Sequence, residues 1–403
     1  MKILHTSDWH IGRRLKEHDR FDEFRKFFAW LEDLINRENI DVLLVAGDVF
    51  DNTTPSVQSQ DIYYNFLSRL ARSSCRHTVI ISGNHDSPAF IDAPSELLAL
   101  NNIHVIGQAC ENPEDEIITL YDANNNPELI ICAVPYLRDR DVRKAANVYD
   151  NFEDIERALK FGIKQHYERV FVQAAKFSEV PVIAMGHLFI HNSKIIKGEG
   201  VRALYVGTAI EIESSVFPAN IIYTALGHLH SPQTAGRENI RYSGSPIAMT
   251  FGECETQKSV TVIELEDGKA LTREIPVPVF QRLERISGDM NHIISEIRTL
   301  ALADESIWLE ITYTGQEVTG SLQERLSRFV KKFPKLEILM IHNDSAEILS
   351  TLNKTKILDN LDDDNITTLK IFEMLLKDKN IPDEQQKIFI PMYQEILREL
   401  END

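Results

Sequence analysis

The chain has 403 residues, 43% of them hydrophobic, and a formal net charge of −19. That length allows two or three domains with a sizeable core. No apolar run approaches the roughly 18 residues of a spanning helix, and the N-terminus lacks a secretory leader's apolar segment. The cysteines Cys75, Cys110, Cys132 and Cys254 are scattered and form no CxxC pair. This fits reduced thiols in a cytoplasm better than a disulfide framework or a cysteine zinc knot. The acidic balance argues against a generally basic nucleic-acid binder, although bound cations can invert the field at one site.

In chain order, "ILHTSDWHIG" at 3–12 reads as a strand that ends by presenting Asp8 and His10. Side chains two apart in an extended segment share a face. Phe21, Phe24, Phe28, Leu31 and Ile35 then recur at helical spacing. "DVLLVAGD" at 41–48 is a β-branched apolar run of the kind buried on both faces of a parallel sheet. Ile62, Phe66, Leu67 and Leu70 mark a second helix, and "TVIISGNHD" at 78–86 a further strand. A long amphipathic pattern runs through Phe152, Ile155, Leu159, Ile163, Tyr167 and Val170. "PVIAMGHL" at 181–188 and "IIYTALGHLH" at 221–230 repeat the strand form. The alternation predicts a layered α/β architecture.

Beyond about residue 235, "IRYSGSPIAM" and "KSVTVIELEDGKALTREIPV" read as hairpin strands with turns at Gly244 and Asp267-Gly268. The two prolines of "IPVPVF" at 275–280 predict a linker. A helix at 290–302, the strand "SIWLEITYTG" and a helix at 321–332 outline a small α/β domain. After an acidic run, Asp362 to Asp364, two apolar stripes follow: Ile366, Leu369, Phe372 and Leu376, then Ile388, Met392, Ile396 and Leu400. Isolated helices this short are marginal in water, so the tail needs a surface to dock on.

Four apolar strand candidates each end in glycine followed by residues that bind metals: Asp48, then Asn84, His85 and Asp86, then His187, then His228 and His230. Singly, each piece reads equally well as a turn or a packed histidine. Together with Asp8 and His10 they predict a di-metal site, because residues at the carboxyl ends of strands converge on one crevice. Oxygen and imidazole ligands without thiolate suit Mn, Fe or Zn better than Mg alone. Two ions roughly 3.5–4 Å apart clamp a phosphoryl centre and acidify a bridging water.

The motif set DxH, GDxxD, GNHD, GH and GHxH resembles the calcineurin-like metallophosphoesterase family. The resemblance implies a two-sheet αββα sandwich. It implies that Asp8, His10, Asp48 and His230 ligate one ion, and that Asp48, Asn84, His187 and His228 ligate the other. His85 becomes the proton donor or transition-state stabiliser. "LHTSDWHIGR", "AGDVFD", "SGNHDSP", "AVPYLRDRDVR", "YVGTAIEIESSVFP", "YTALGHLHSPQ" and "YSGSP" narrow the resemblance to the SbcD family of bacterial nucleases. That implies a nuclease domain over 1–275, a DNA-capping domain over 282–342, and a helix-loop-helix tail over 345–403 that grips an SbcC-type ATPase's coiled coil. It also implies a cytoplasmic Mn-dependent nuclease, double-strand 3′→5′ exonuclease and single-strand endonuclease, working in DNA recombination, replication and repair as a homodimer within a heterotetramer. The dimer helices correspond to Ile62–Leu70 and Ala93–Leu100. The competing reading is a phosphoesterase acting on small phosphodiesters, nucleotides or phosphoproteins. Asp51 stands where archaeal and eukaryotic relatives carry a histidine, which leaves the acid role to His85 alone. Arg13 and Arg14 follow the first ligands and suit DNA phosphates. Arg138, Arg140 and Arg143 do so as well, or form a solvated loop with Asp139 and Asp141.

Overall fold

The computed structural model describes residues 1–122, 124–142, 152–177, 179–194, 210–266, 268–315 and 322–343, with Leu376, Gln386, Ile390 and Tyr393 also described as helical. The chain divides into two units, Met1–Glu284 and Arg285–Asp403.

The first unit holds two six-stranded sheets. One runs Lys269–Pro276, Ser259–Glu266, Lys2–Thr6, Val42–Ala46, His77–Ile81, Ile103–Ile106 in spatial order. Its last four strands are parallel, and Ser259–Glu266 joins antiparallel on Lys2–Thr6. The other sheet runs Gln233–Ala235, Arg237–Tyr242, Ile221–Gly227, Val182–His187, Pro127–Ala133, Ile117–Tyr121.

Alternation along the strands builds the layers. Val42, Leu44 and Ala46 face Ile183, Met185, Tyr223 and Ala225 of the other sheet in one fully buried cluster. Leu43 and Val45 turn outward against Phe24, Phe28, Leu31 and Phe66, from the helices Phe21–Glu38 and Val57–Leu70. On the far side, Ile130, Cys132 and Ala184 pack on Ile163, Tyr167 and Val170 of the helix Phe152–Ala174. The result is an αββα sandwich: helix layers outside, paired sheets within.

Glycine lets the two sheets touch at their carboxyl ends. A Cβ on Gly227 would lie 1.8 Å from the Ala46 carbonyl oxygen. Gly47 takes φ +85°, and a Cβ there would lie 2.2 Å from His187 Nδ1. These contacts join the strand ends that carry Asp48, His187 and His228.

Three expectations change. The 275–280 stretch is no simple linker: Pro276 ends a strand, and buried Val277 donates its N–H to the Lys258 carbonyl. A strand's last residue tolerates proline. The hairpin before it turns at Gly236, between Gln233–Ala235 and Arg237–Tyr242, whereas Gly244 lies in the following loop. The apolar residues of 62–70 are absorbed by the chain's own core, so that face is unavailable to a second copy. By contrast, Leu97 and Leu100 are 67% and 80% exposed.

The second unit contains a three-stranded sheet ordered Arg282–Gly288, Ile307–Tyr313, Leu336–Asn343, whose first strand begins in the first unit. The last two strands are parallel and are linked through the helix Leu322–Val330. Ile293, Ile297, Leu309, Ile311 and Leu326 form its core. Asp289 caps the helix Met290–Leu300 by accepting from His292 N–H at 2.8 Å. The tail beyond 343, and Arg143, lie outside the described residues apart from the four isolated positions named above.

Candidate metal centre

Six of the seven side chains assigned to the ions are buried: Asp8, His10, Asp48, His187, His228 and His230 are each at most 5% exposed. Asn84 is half-buried beside them. Asp8, His10, Asp48 and His228 all take positive φ, at 50°, 48°, 49° and 100°. Non-glycine residues in that region carry a conformational cost, and such strain concentrates at functional sites. Here it turns each side chain out of its strand direction toward the seam between the sheets.

The geometry is a chain of facing ligand atoms. His10 Nε2 lies 3.1 Å from His230 Nε2 and 3.5 Å from Asp48 Oδ2. The same Asp48 oxygen lies 3.4 Å from His187 Nε2. His187 Nε2 and His228 Nδ1 each lie 3.0 Å from Asn84 Oδ1. Asp8, His10 and His230 bring ligand atoms within 4.8 Å of one another, and so do Asp8, Asp48 and His187. Two imidazole nitrogens at hydrogen-bond distance suit a neutral pair only if one carries its proton on the facing atom. A cation accepts lone pairs from both. This donor set of oxygen and imidazole, buried and facing inward, fits divalent metal ions.

The surroundings hold these groups in place. Asp8 Oδ1 accepts from His228 N–H at 2.8 Å, and Asp8 Oδ2 from the Ser7 hydroxyl at 2.6 Å. His187 Nδ1 donates to the Ala46 carbonyl at 3.0 Å, which frees Nε2 for the centre. Burial raises the Asp8 carboxyl above its ordinary range. Burial also opposes ionisation of Asp48, but His187 and His10 outweigh it and hold that carboxyl low. The same attraction to Asp48 overcomes burial at His187 and lifts it to about 9. His228, by contrast, is pushed down to about 3 by burial and by the neighbouring His187.

His85 lies at the rim, 7% exposed, with its ring centroid 4.7 Å from that of His10. Its N–H donates to Asp48 Oδ1 at 2.8 Å. Its Nδ1 lies 2.9 Å from the Asp51 carbonyl oxygen, which requires the proton on Nδ1 and leaves Nε2 free. The backbone of Asp51 thus orients His85, while its carboxylate lies 3.5 Å from His10 Nδ1 and 3.2 Å from Arg13. Asp86 accepts from the N–H groups of Gly83, Val49 and Phe50, so it ties two ligand loops together.

The arginines divide. Arg13 is paired with Asp51, and Arg14 is exposed beside Asp19. Arg138 turns inward, donating to the Asp86 carbonyl at 2.8 Å, while Arg140 is exposed. The sequence reading passed over Ser7, Glu253 and Lys258, all buried close to the centre. The last two lie outside any strand-end motif, and their one signal is a charged pair flanking the apolar strand "SVTVI".

A family model for the calcineurin-like phosphoesterases matches residues 1–232. A second, described as the Type 5 capsule protein repressor C-terminal domain, matches residues 279–380. The chain is 30% identical over 354 residues to the D subunit of nuclease SbcCD from Escherichia coli, covering 86% of each chain. It is 32% identical over 318 residues to the protein of that name from Rhodobacter capsulatus, covering 75% of this chain and 77% of the other. Against the Bacillus subtilis protein of that name it is 33% identical over 280 residues, covering 68% of each.

Proposed function

The chain belongs to the calcineurin-like phosphoesterase family, within its SbcD nuclease branch, and from that premise we propose that it hydrolyses DNA phosphodiester bonds at two divalent cations. One observation carries the reading: a single carboxylate oxygen, Asp48 Oδ2, stands 3.5 Å from His10 Nε2 and 3.4 Å from His187 Nε2, between two groups of ligands. Asp8, His10, Asp48 and His230 would hold the first ion. Asp48, Asn84, His187 and His228 would hold the second, and manganese suits this donor set. When bound, the pair supplies Lewis acidity and an activated water for in-line attack on phosphorus.

The chain's own groups do the rest. Asn84 is neutral and leaves positive charge at the centre for a phosphate. His85, held through Nδ1 by the Asp51 carbonyl, presents Nε2 to carry the proton for the departing oxygen. Arg14 and Arg140 are exposed and can meet the DNA backbone, whose phosphates carry no sequence information. Arg13 and Arg138, turned inward, brace the loops instead. The relatives' shared name, built on SbcCD, implies an SbcC partner for them. By that reading the apolar stripes of the tail dock on an SbcC-type ATPase, and DNA is cut both 3′→5′ from duplex ends and within single strands.

No helix of the described residues is long and apolar enough to cross a membrane. No disulfide joins any of the cysteines Cys75, Cys110, Cys132 and Cys254.

The test is cleavage of end-labelled duplex and single-stranded DNA in manganese, with and without the ATPase, beside a nucleotide monoester and a generic phosphodiester. Cleavage of DNA in manganese, with duplex digestion stimulated by the ATPase and ATP, is the expected result. Hydrolysis of the small esters alone would transfer the site to small-molecule chemistry.

A further inference from the structure

Behind the first-ion ligands lies an ion pair sealed from water. Glu253 is 0% exposed and Lys258 6% exposed. Lys258 Nζ lies 2.6 Å from Glu253 Oε2 and 2.9 Å from both the His230 carbonyl oxygen and Ser245 Oγ. All three ammonium donors therefore have partners. Glu253 Oε2 also accepts from Met249 N–H at 3.0 Å. The other oxygen, Oε1, lies 3.5 Å from His230 Nδ1.

Desolvating two charges commonly costs as much as their attraction returns, so such a pair is weak evidence for stability. Its placement supplies another reason. A carboxylate behind one ring nitrogen of a metal-binding histidine fixes the tautomer, aims the ring and raises the basicity of the other nitrogen. His230 Nε2 is the atom facing His10 Nε2 at 3.1 Å. His187, on the second ion, is braced by the neutral Ala46 carbonyl instead. Lys258 acts on both ends of the brace, since it holds the Glu253 carboxylate and the backbone carbonyl of His230 itself.

We propose that Glu253, locked in place by Lys258, is a positioning residue for His230 and thereby sets the affinity of the first metal site. This rests on the di-metal reading above. It touches neither substrate nor reacting atoms, so its signature is metal affinity and not an altered chemical step.

The test is manganese titration of the full chain, following free Mn²⁺ by electron paramagnetic resonance, with folding checked by circular dichroism and thermal melting. Glu253→Gln leaves Lys258 unpaired, so the decisive variant is Glu253→Gln/Lys258→Met, which removes both charges together. The double variant is expected to fold, to bind one manganese ion as the wild type does, and to bind the other about 10–100-fold more weakly. Saturating manganese should then restore most of the cleavage rate. A folded double variant with both affinities at wild-type values overturns the proposal. So does one that fails to fold, since that assigns the pair to stability. Wild-type protein that binds no manganese contradicts the di-metal reading itself and removes the basis for this role.

Discussion

In the proposed mechanism His85 separates binding from chemistry at the scale of one residue. Its backbone N–H touches Asp48 and its Nδ1 is held by the Asp51 carbonyl, so its ring is oriented beside His10, and the proposed ligand assignment leaves it outside both ion sites. His85→Ala should retain both manganese ions and lose roughly 10²–10⁴-fold in DNA cleavage, the usual contribution of a general acid. Metal content and single-turnover cleavage, measured on one preparation, check this. Loss of metal to the degree seen for an Asp48 variant would make His85 a ligand instead. Gly227 makes a second single-residue case. A methyl group there meets the Ala46 carbonyl at 1.8 Å, so Gly227→Ala must part the two sheets or shift His228. Overpacking of this kind costs roughly 1–3 kcal/mol, readable as a lower urea midpoint, and the second metal site should weaken with it. An unchanged midpoint would mean that the seam yields more easily than the geometry implies.

The strand ends were legible at the scale of elements because several constraints coincide there. Four strands are short β-branched runs buried on both faces, and each of these ends where glycine admits a close approach before a ligand type. "DVLLVAGD" and "IIYTALGHLH" are strands whose last residues meet at Ala46 and Gly227. The strands Ile103–Ile106, Ile117–Tyr121 and Pro127–Ala133 escaped notice because they end in no ligand motif. Glu253 and Lys258 were invisible for another reason: a charged residue in a sequence looks solvated until its partner is known, and burial is a tertiary fact. The Pro-Val-Pro stretch misled in the opposite direction, since proline is tolerated where a strand ends. The tail is the element whose role rests on pattern. Deleting residues 345–403 should abolish co-purification with the ATPase and leave manganese-dependent single-strand cleavage, because every proposed ligand precedes residue 231. Retained binding with unchanged affinity would move the docking surface elsewhere.

For the molecule as a whole, the first unit is held together by two sheets packed face to face, and a polar contact crosses that layer. His5, from one sheet, is fully buried and lies 2.9 Å through Nδ1 from the Tyr223 hydroxyl of the other. Burial pushes His5 from the ordinary 6.5 down to about 3, with Arg241 adding to the effect. The sign follows from linkage. Between pH 6.5 and 3 the unfolded chain binds a proton that the folded His5 refuses, so stability is fully present above 6.5 and falls as the pH drops through that window. Urea unfolding of wild type and His5→Gln should show a shallower acid dependence in the variant, by up to one proton. Parallel curves would mean that other groups carry the acid slope.

The central claim is that Asp48 is shared between two ions in one buried centre, and metal stoichiometry tests it most directly. After loading with manganese and removal of free metal, elemental analysis should find close to two ions per wild-type chain. Asp48→Asn should retain fewer than one while keeping its fold, because the substitution removes the carboxylate whose Oδ2 lies 3.5 Å from His10 Nε2 and 3.4 Å from His187 Nε2. A wild-type chain that holds one ion or none, or an Asp48→Asn chain that still holds two, would contradict the account.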